Sequence, residues 1–196
     1  MREMLSMILV LTVLTAVSGG LLAVVKAKTE PQIEEQVLKF QKAPAIKAIF
    51  ADATNDPIKE RFNAKAVGIE LQIFPSTLAD GVKAVAFEAK GTGFGGPIGL
   101  MVGVNIDTDE IIAVRVTTHS ETPGLGSRAK DDPEFVAQFK GGAAKDPFKV
   151  TKDGGQINAL SGATITSQAV CQATSAVGSA YQKLKPKIQE QIATMK

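Results

Sequence analysis

The stretch "SGATITS", residues 161–167, sets Thr164, Thr166 and Ser167 behind Gly162 and just ahead of a strongly helical run. Hydroxyls in that position can do two kinds of chemistry. They can cap a helix by accepting hydrogen bonds from its first N–H groups. Alternatively one of them can carry a phosphate, because unpaired N–H groups and the positive end of the helix dipole stabilise an anion there. Gly162 and Ala163 put little bulk around Thr164, which leaves room for a phosphate on its hydroxyl. Nucleophilic catalysis has less support, since the sole histidine, His119, lies in a distant loop and no triad motif accompanies it. The residues alone leave capping and phosphate attachment both open.

Two glycine-rich stretches could also approach a ligand closely: "GTGFGGPIG" at 91–99 and "ETPGLGSRA" at 121–129. The first is followed by a strand pattern and not a helix, so it is no dinucleotide fingerprint; a tight loop is the plainer reading. Cys171 is the only cysteine, which excludes an internal disulfide framework, and with one histidine it also excludes a His/Cys zinc cage. It reads as a small buried apolar residue on a helix. Carboxylate sites stay open in principle, but no EF-hand spacing is present, and no metal site is expected.

These residues need a scaffold. Val170, Val177 and Leu184 fall seven apart, with Ala173 and Tyr181 at neighbouring positions, which predicts a packed amphipathic helix over 166–184 capped by Thr166 or Ser167. Pro186 is expected to stop or kink it, leaving 186–196 as a lysine-bearing tail in the form of a solvated surface helix. Strands are predicted at about 67–74, 82–90, 98–106 and 111–118. The third alternates Ile98, Leu100, Val102, Val104 and Ile106, and "DTDE" at 107–110 turns it into the fourth as a hairpin. "DDPEF" at 131–135 reads as a helix start, with Asp131 or Asp132 as cap and Pro133 in the first turn, and 139–150 as a return to a strand. Upstream, Ile33, Val37 and Phe40 recur at helical spacing from Pro31, and Pro44 breaks the pattern before Ile46, Ile49 and Phe50.

Met4–Val25 is a run of 22 residues without a charge, about 33 Å as a helix and enough to cross a bilayer. It exceeds the apolar core of a signal peptide and lacks a small-residue cleavage pattern, so a retained anchor is expected. Gly19 and Gly20 suit close approach to a neighbouring membrane helix. Arg2 precedes the span whereas Lys26, Lys28, Lys39 and Lys42 follow it, so the positive-inside rule by itself would keep the following domain in the cytoplasm.

The division expected is an anchor at 1–25, a helical lead-in and connector at 26–65, one α+β domain at 66–185 and a tail at 186–196. Lys+Arg number 22 and Asp+Glu 20, without a dense basic run interleaved with aromatics, which argues against nucleic acid. Aromatics make up 5% and Trp is absent, so the core rests on aliphatic residues.

"HSETPGLGSR" at 119–128 followed by "LSGATITSQAV" at 160–170 resembles the FMN-binding domain of the G subunit of the Rnf complex and, more distantly, the C subunit of the sodium-pumping NADH:quinone reductase. The similarity extends to the single N-terminal span and the GxGFGGPI stretch, and the short chain favours the first. The resemblance implies a mixed α+β FMN-binding domain behind one transmembrane helix. It implies FMN bound covalently by a phosphoester to Thr164, installed by a separate flavin transferase that uses FAD and Mg²⁺. Ser161, Gly162 and Ala163 would surround that bond, and Thr166 and Ser167 would cap. Glu121, Thr122, Gly124, Leu125 and Gly126 would pack near the isoalloxazine, with Leu125 as an apolar contact and His119 orienting the loop. The implied role is an electron carrier in a membrane complex that couples electron flow between ferredoxin and NAD⁺ to ion transport, acting with other membrane and peripheral subunits and catalysing nothing alone. The implied location is the outer side of the cytoplasmic (inner) membrane, against the charge count. The family motif often has Asp three residues before the first Ser/Thr, where this chain has Asn158; the amide keeps the shape and an acceptor but loses the charge that the transferase would meet.

Two other classes fit parts of the pattern. A membrane-anchored extracytoplasmic module binding a phosphorylated or acidic small ligand without redox activity would explain the glycine loops and hydroxyls, and would be colourless. A purely structural anchor would tolerate Thr164→Ala.

Overall fold

The computed structural model describes residues 2–66 and 69–194, in two compact units, Met1–Phe40 and Gln41–Lys196. In the first, α1 (Arg2–Val37) carries the uncharged run, and none of its described side chains is buried. A helix apolar all round with nothing packed on it suits lipid, and it supplies the one stretch among the described residues long and apolar enough to cross a membrane. The sequence pattern starts a separate lead-in helix at Pro31, yet Pro31 lies inside α1. The surrounding residues are exposed, so the carbonyl that proline leaves without a donor can be solvated and the helix continues. A π-helical turn, Leu38–Lys42, then precedes α2 (Ala43–Ile49), whose first turn holds Pro44. A wider turn at that point suits a proline ring that would crowd the carbonyl four residues earlier in a regular helix.

The second unit is built on a five-stranded sheet in the order β1 (Phe62–Ala66), β2 (Ile69–Thr77), β3 (Lys83–Thr92), β4 (Pro97–Asn105), β5 (Ile111–Thr118). Every neighbouring pair is antiparallel. The four predicted strands are β2 to β5; Val67 and Gly68 of the first prediction lie outside the described residues. The β4–β5 turn forms where "DTDE" placed it, with Asp109 at φ 60°, a conformation Asp adopts more readily than most residues. β1 is an addition, in what the sequence reads as connector.

The sheet is covered on both faces. Ile98, Leu100, Val102 and Val104 join the main core with α5 (Thr164–Thr194), and Met101 of the alternate face is equally buried. That second face meets α2 through Ile46, Ile49 and Phe50. Gly103 permits the contact, since a Cβ there would collide with the Ile49 side chain.

Along α5, Val170, Ala173, Val177, Tyr181 and Leu184 are buried, as their spacing predicts. Two expectations about its ends are corrected. The helix starts at Thr164, so neither Thr166 nor Ser167 is its cap; both lie inside the first turn, buried. It also passes through Pro186 to Thr194 without stopping: the surface helix expected beyond the proline is there and largely exposed, but it is continuous with the first part of α5, and Ile188 is fully buried in the main core. The return strand expected in 139–150 is absent too. Gly141 at φ 77° and Pro147 interrupt it, and what remains is two isolated bridges, Glu110 to Ala143 and Val150 to Ile157, beside the Phe139 and Phe148 rings packed 5.4 Å apart. Short helices α3 (Arg128–Asp131) and α4 (Pro133–Ala137) connect β5 to this segment, and Asp132 caps α4 by accepting from Glu134 N.

One polar network ties the sheet to the middle of α5. The Tyr181 hydroxyl donates to Asp109 Oδ1, and Lys185 Nζ donates to Asp109 Oδ1 and Oδ2 at 2.6 and 2.8 Å. On the opposite face Lys42 Nζ donates to Glu88 Oε2 at 2.7 Å, tying the approach to α2 onto β3.

Candidate functional site

Ser161, Thr164, Thr166 and Ser167 lie at and just before the start of α5, where Glu121 joins that start to the β3–β4 turn, and hydrogen bonds separate their roles. Ser167 Oγ accepts from Leu160 N at 2.9 Å and donates to Ala163 O at 3.0 Å, with no exposure to solvent. Thr166 Oγ1 donates to Glu121 Oε2 and is 1% exposed. Both hydroxyls are therefore committed inside the protein. Thr164 is half-buried, and among the described residues its hydroxyl has no hydrogen-bond partner. Ser161 is exposed, ahead of the helix.

The local fold explains why Thr164 sits where it does. Gly162, at φ 76°, makes the left-handed step into α5, and Ala163 N closes the turn onto Leu160 O at 3.0 Å. The residue just before the helix is thus an alanine, which has no side-chain acceptor for the first N–H groups, and the first turn carries no acidic residue. The first N–H groups thus have no side-chain cap from their own segment, and the carboxylate at this turn, Glu121, is engaged by the Thr166 hydroxyl and Gly95 N, beside the free Thr164 hydroxyl.

The "ETPGLG" loop folds on itself: Leu125 N and Ser127 N donate to Thr122 O at 3.2 Å each, and Gly124 N donates to Ser127 Oγ at 2.9 Å. Thr122, Gly124 and Leu125 are exposed and Gly126 is buried. Leu125 leans toward the α5 entry, its Cδ2 3.2 Å from where a Cβ on Gly162 would lie. His119 Nδ1 accepts from Glu121 N at 3.3 Å, a contact that orients the loop start. Arg128, at the loop's end, donates to Asp132 at 3.0 Å and, together with the Glu134 N–H, holds that carboxyl below its usual range.

Glu121 itself points inward. It is 7% exposed, and its Oε1 accepts Gly95 N from the β3–β4 turn at 2.8 Å while Oε2 takes the Thr166 hydroxyl. The glycines close in around it: a Cβ on Gly93 or on Gly126 would strike the Glu121 carboxylate. Close approach is what these glycines provide, and the carboxylate is what they approach.

Three large apolar side chains of this unit are exposed among the described residues, and all lie on these elements: Phe94 (75%) on the β3–β4 turn, Leu125 (46%) on the loop and Ile165 (50%) beside Thr164. The family resemblance singles out Leu125 and passes over Phe94 and Ile165; an aromatic at the tip of a glycine turn was the available signal. Cys171 lies further along α5, buried, with its thiol pushed up to about 12 by desolvation and then by the nearby Asp153 charge. Asn158 has an exposed side chain while Gln138 holds its backbone, Asn158 N donating to Gln138 Oε1 at 2.7 Å and Gln138 Nε2 to Asn158 O at 3.3 Å.

Residues 93–177 match the FMN-binding domain family, a span that runs from the β3–β4 turn through Thr164 to the middle of α5. Over 91% of its length the chain is 32% identical to the G subunit of the ion-translocating oxidoreductase complex of Cronobacter sakazakii, covering 90% of that protein. It is 33% identical to the protein of the same name from Methanosarcina acetivorans, over 88% of this chain and 91% of the other. Among solved structures, the C subunit of the Na⁺-translocating NADH-quinone reductase of Parabacteroides distasonis superposes with a TM-score of 0.50 at 28% identity, over 59% of this chain and 63% of that one. NqrC of Shewanella oneidensis shares the fold at a TM-score of 0.53 and 23% identity, over 71% and 73% of the two chains.

Proposed function

Because the chain belongs to the family of G subunits of ion-translocating oxidoreductase complexes, we propose that it is an FMN-bearing electron-transport protein of such a complex, with the flavin held by a phosphoester to Thr164. The observation that carries the site is the hydroxyl accounting: Thr166 and Ser167 are engaged and buried, while Thr164 is half-buried and unpartnered at the start of α5. The residues fit the group at both ends. The uncapped start of α5 suits its phosphate, and the exposed Phe94, Leu125 and Ile165 suit an apolar ring system that would cover them.

Attachment would proceed with FAD as donor and a Mg²⁺-dependent flavin transferase as catalyst. Thr164 Oγ would form the new bond to the FMN phosphorus and give up its proton, while the pyrophosphate bond of FAD breaks and AMP leaves. Once bound, the isoalloxazine supplies one- and two-electron chemistry. The chain's own part is to fix the tether, to offer the apolar rim, and to leave the ring chemically unaltered because the bond is at the phosphate. A covalent bond also keeps the cofactor where no cytoplasmic pool can replace it, which agrees with the domain standing on the outer side of the membrane behind α1 as a retained single-pass anchor. Electron flow between ferredoxin and NAD⁺, coupled to ion movement through partner subunits, is the role this reading assigns to the assembly. The lysines after the span favour the other side by charge alone, a bias that partner subunits can override.

The test is mass analysis of the tryptic peptide containing Thr164, from protein expressed with its transferase. An FMN adduct on Thr164, in-gel flavin fluorescence after denaturation, and loss of both in Thr164→Ala are the expected results. A flavin that is released on denaturation of the mature protein overturns the reading.

A further inference from the structure

We propose that Glu121 is a positioning residue for Thr164, acting through Thr166; the inference rests on the flavin-attachment reading above. Its buried carboxylate joins three chain segments: the β3–β4 turn through Gly95 N, the loop that carries Glu121, and the first turn of α5 through the Thr166 hydroxyl.

The behaviour of Thr166 is informative. A hydroxyl inside a helix ordinarily returns its proton to the carbonyl four residues earlier. Within α5, Ser167 does so to Ala163 O at 3.0 Å, Thr174 to Val170 O at 2.9 Å and Ser175 to Cys171 O at 2.9 Å. Thr166 instead donates across to Glu121. Burying a carboxylate is costly unless its oxygens are hydrogen-bonded, and here one bond goes to each oxygen, with space for a side chain denied at Gly93 and Gly126. The carboxylate thus fixes the rotation of the helix start. Successive helical residues are turned by about 100°, so residues 164 and 166 stand about 200° apart. Tying Thr166 inward directs Thr164 outward, toward the transferase and the apolar rim. The same bond withholds the Thr166 hydroxyl from competing as the acceptor.

The test measures the rate of flavin transfer from FAD, with Mg²⁺ and the transferase, to the detergent-solubilised full chain. Thr166→Val is expected to slow transfer on the order of 10- to 100-fold, as displacement of a reacting group by about 1 Å does, and Thr166→Ser to restore it. Val177→Ala, which loosens the buried face of α5 without touching the clamp, serves as the control for stability alone and is expected to keep the wild-type rate. If Thr166→Val does not fold, Glu121→Ala, which removes the group that Thr166 and Gly95 N both bind, takes its place with the same slowing expected. Transfer to wild type with an unchanged rate in these variants overturns the inference, as does a rate that falls equally in Val177→Ala. A wild-type chain that stays unmodified overturns the attachment reading itself.

Discussion

The hydroxyl of Tyr181 donates to Asp109, a residue 72 positions earlier that holds the β4–β5 turn at φ 60°. Lys185 closes the same network one helical turn further on. Burial alone would raise the Asp109 carboxyl, but the Lys185 ammonium and the Tyr181 hydroxyl outweigh it and hold the group below the usual carboxylate range. The tyrosine is driven the other way, upward, by burial and by the Asp109 charge. Asp109→Asn keeps a residue that tolerates the left-handed backbone and removes the charge. We expect it to cost about 1–2 kcal/mol at neutral pH, and Asp109→Ala about 1 kcal/mol more for the backbone. Because the folded-state value is lowered, the contribution is complete above the unfolded value of about 3.9 and is lost as pH falls through the lower folded value. Urea unfolding of the solubilised chain should therefore show a constant gap between wild type and Asp109→Asn at neutral pH that closes in strong acid.

Gly126 and Gly124 sit two residues apart and should respond differently to alanine. At Gly126 the new methyl would press on Glu121 Cβ at 2.7 Å and Thr166 Oγ1 at 2.9 Å, an overpacking that costs about 1–3 kcal/mol. At Gly124 nothing lies nearby, and only the φ of 74° opposes the change, worth about 1–2 kcal/mol. Thermal melts rank the two, and flavin transfer should fall only for Gly126→Ala.

Cys171 should be inert. With its thiol buried and pushed up to about 12, almost none is thiolate at about pH 8, and the thiolate is the reactive form. Labelling by a small alkylating reagent is expected only at the rate of unfolding, and promptly once denaturant is added. Prompt labelling of the native chain would contradict this burial.

Phe94 and Leu125 are exposed enough that Phe94→Ser and Leu125→Ser should shift stability by no more than about 0.5 kcal/mol. In the flavin-loaded protein each should leave attachment intact while making the flavin fluorescence more accessible to iodide quenching. Unchanged quenching would place the ring elsewhere on the surface.

What could be read from the sequence followed signal strength. β3, β4 and β5 alternate or run with aliphatic residues, and the seven-residue spacing from Val170 to Leu184 is dense enough to reveal the buried face of α5. β1 escaped because "FNAKA" alternates through alanines, whose apolar signal is weak; beyond Pro186 the helix was legible but its continuity with α5 was not, because a proline argues for a break and the core's capture of Ile188 is not visible locally. Small neighbours left room at Thr164, but only the family resemblance, not the local pattern, chose it among the hydroxyls. The inward turn of Glu121 could not be read, since it depends on three segments distant in sequence converging. The glycines at 93 and 126 did announce a close approach, but a sequence does not say to what.

Gln138 grips the main chain at position 158 with both atoms of its amide and leaves the side chain there in solvent. Folding therefore constrains the backbone at that site and is indifferent to what the residue is. An aspartate in place of Asn158 would enter at almost no thermodynamic expense, so the fold itself makes no choice between amide and charge at this surface position.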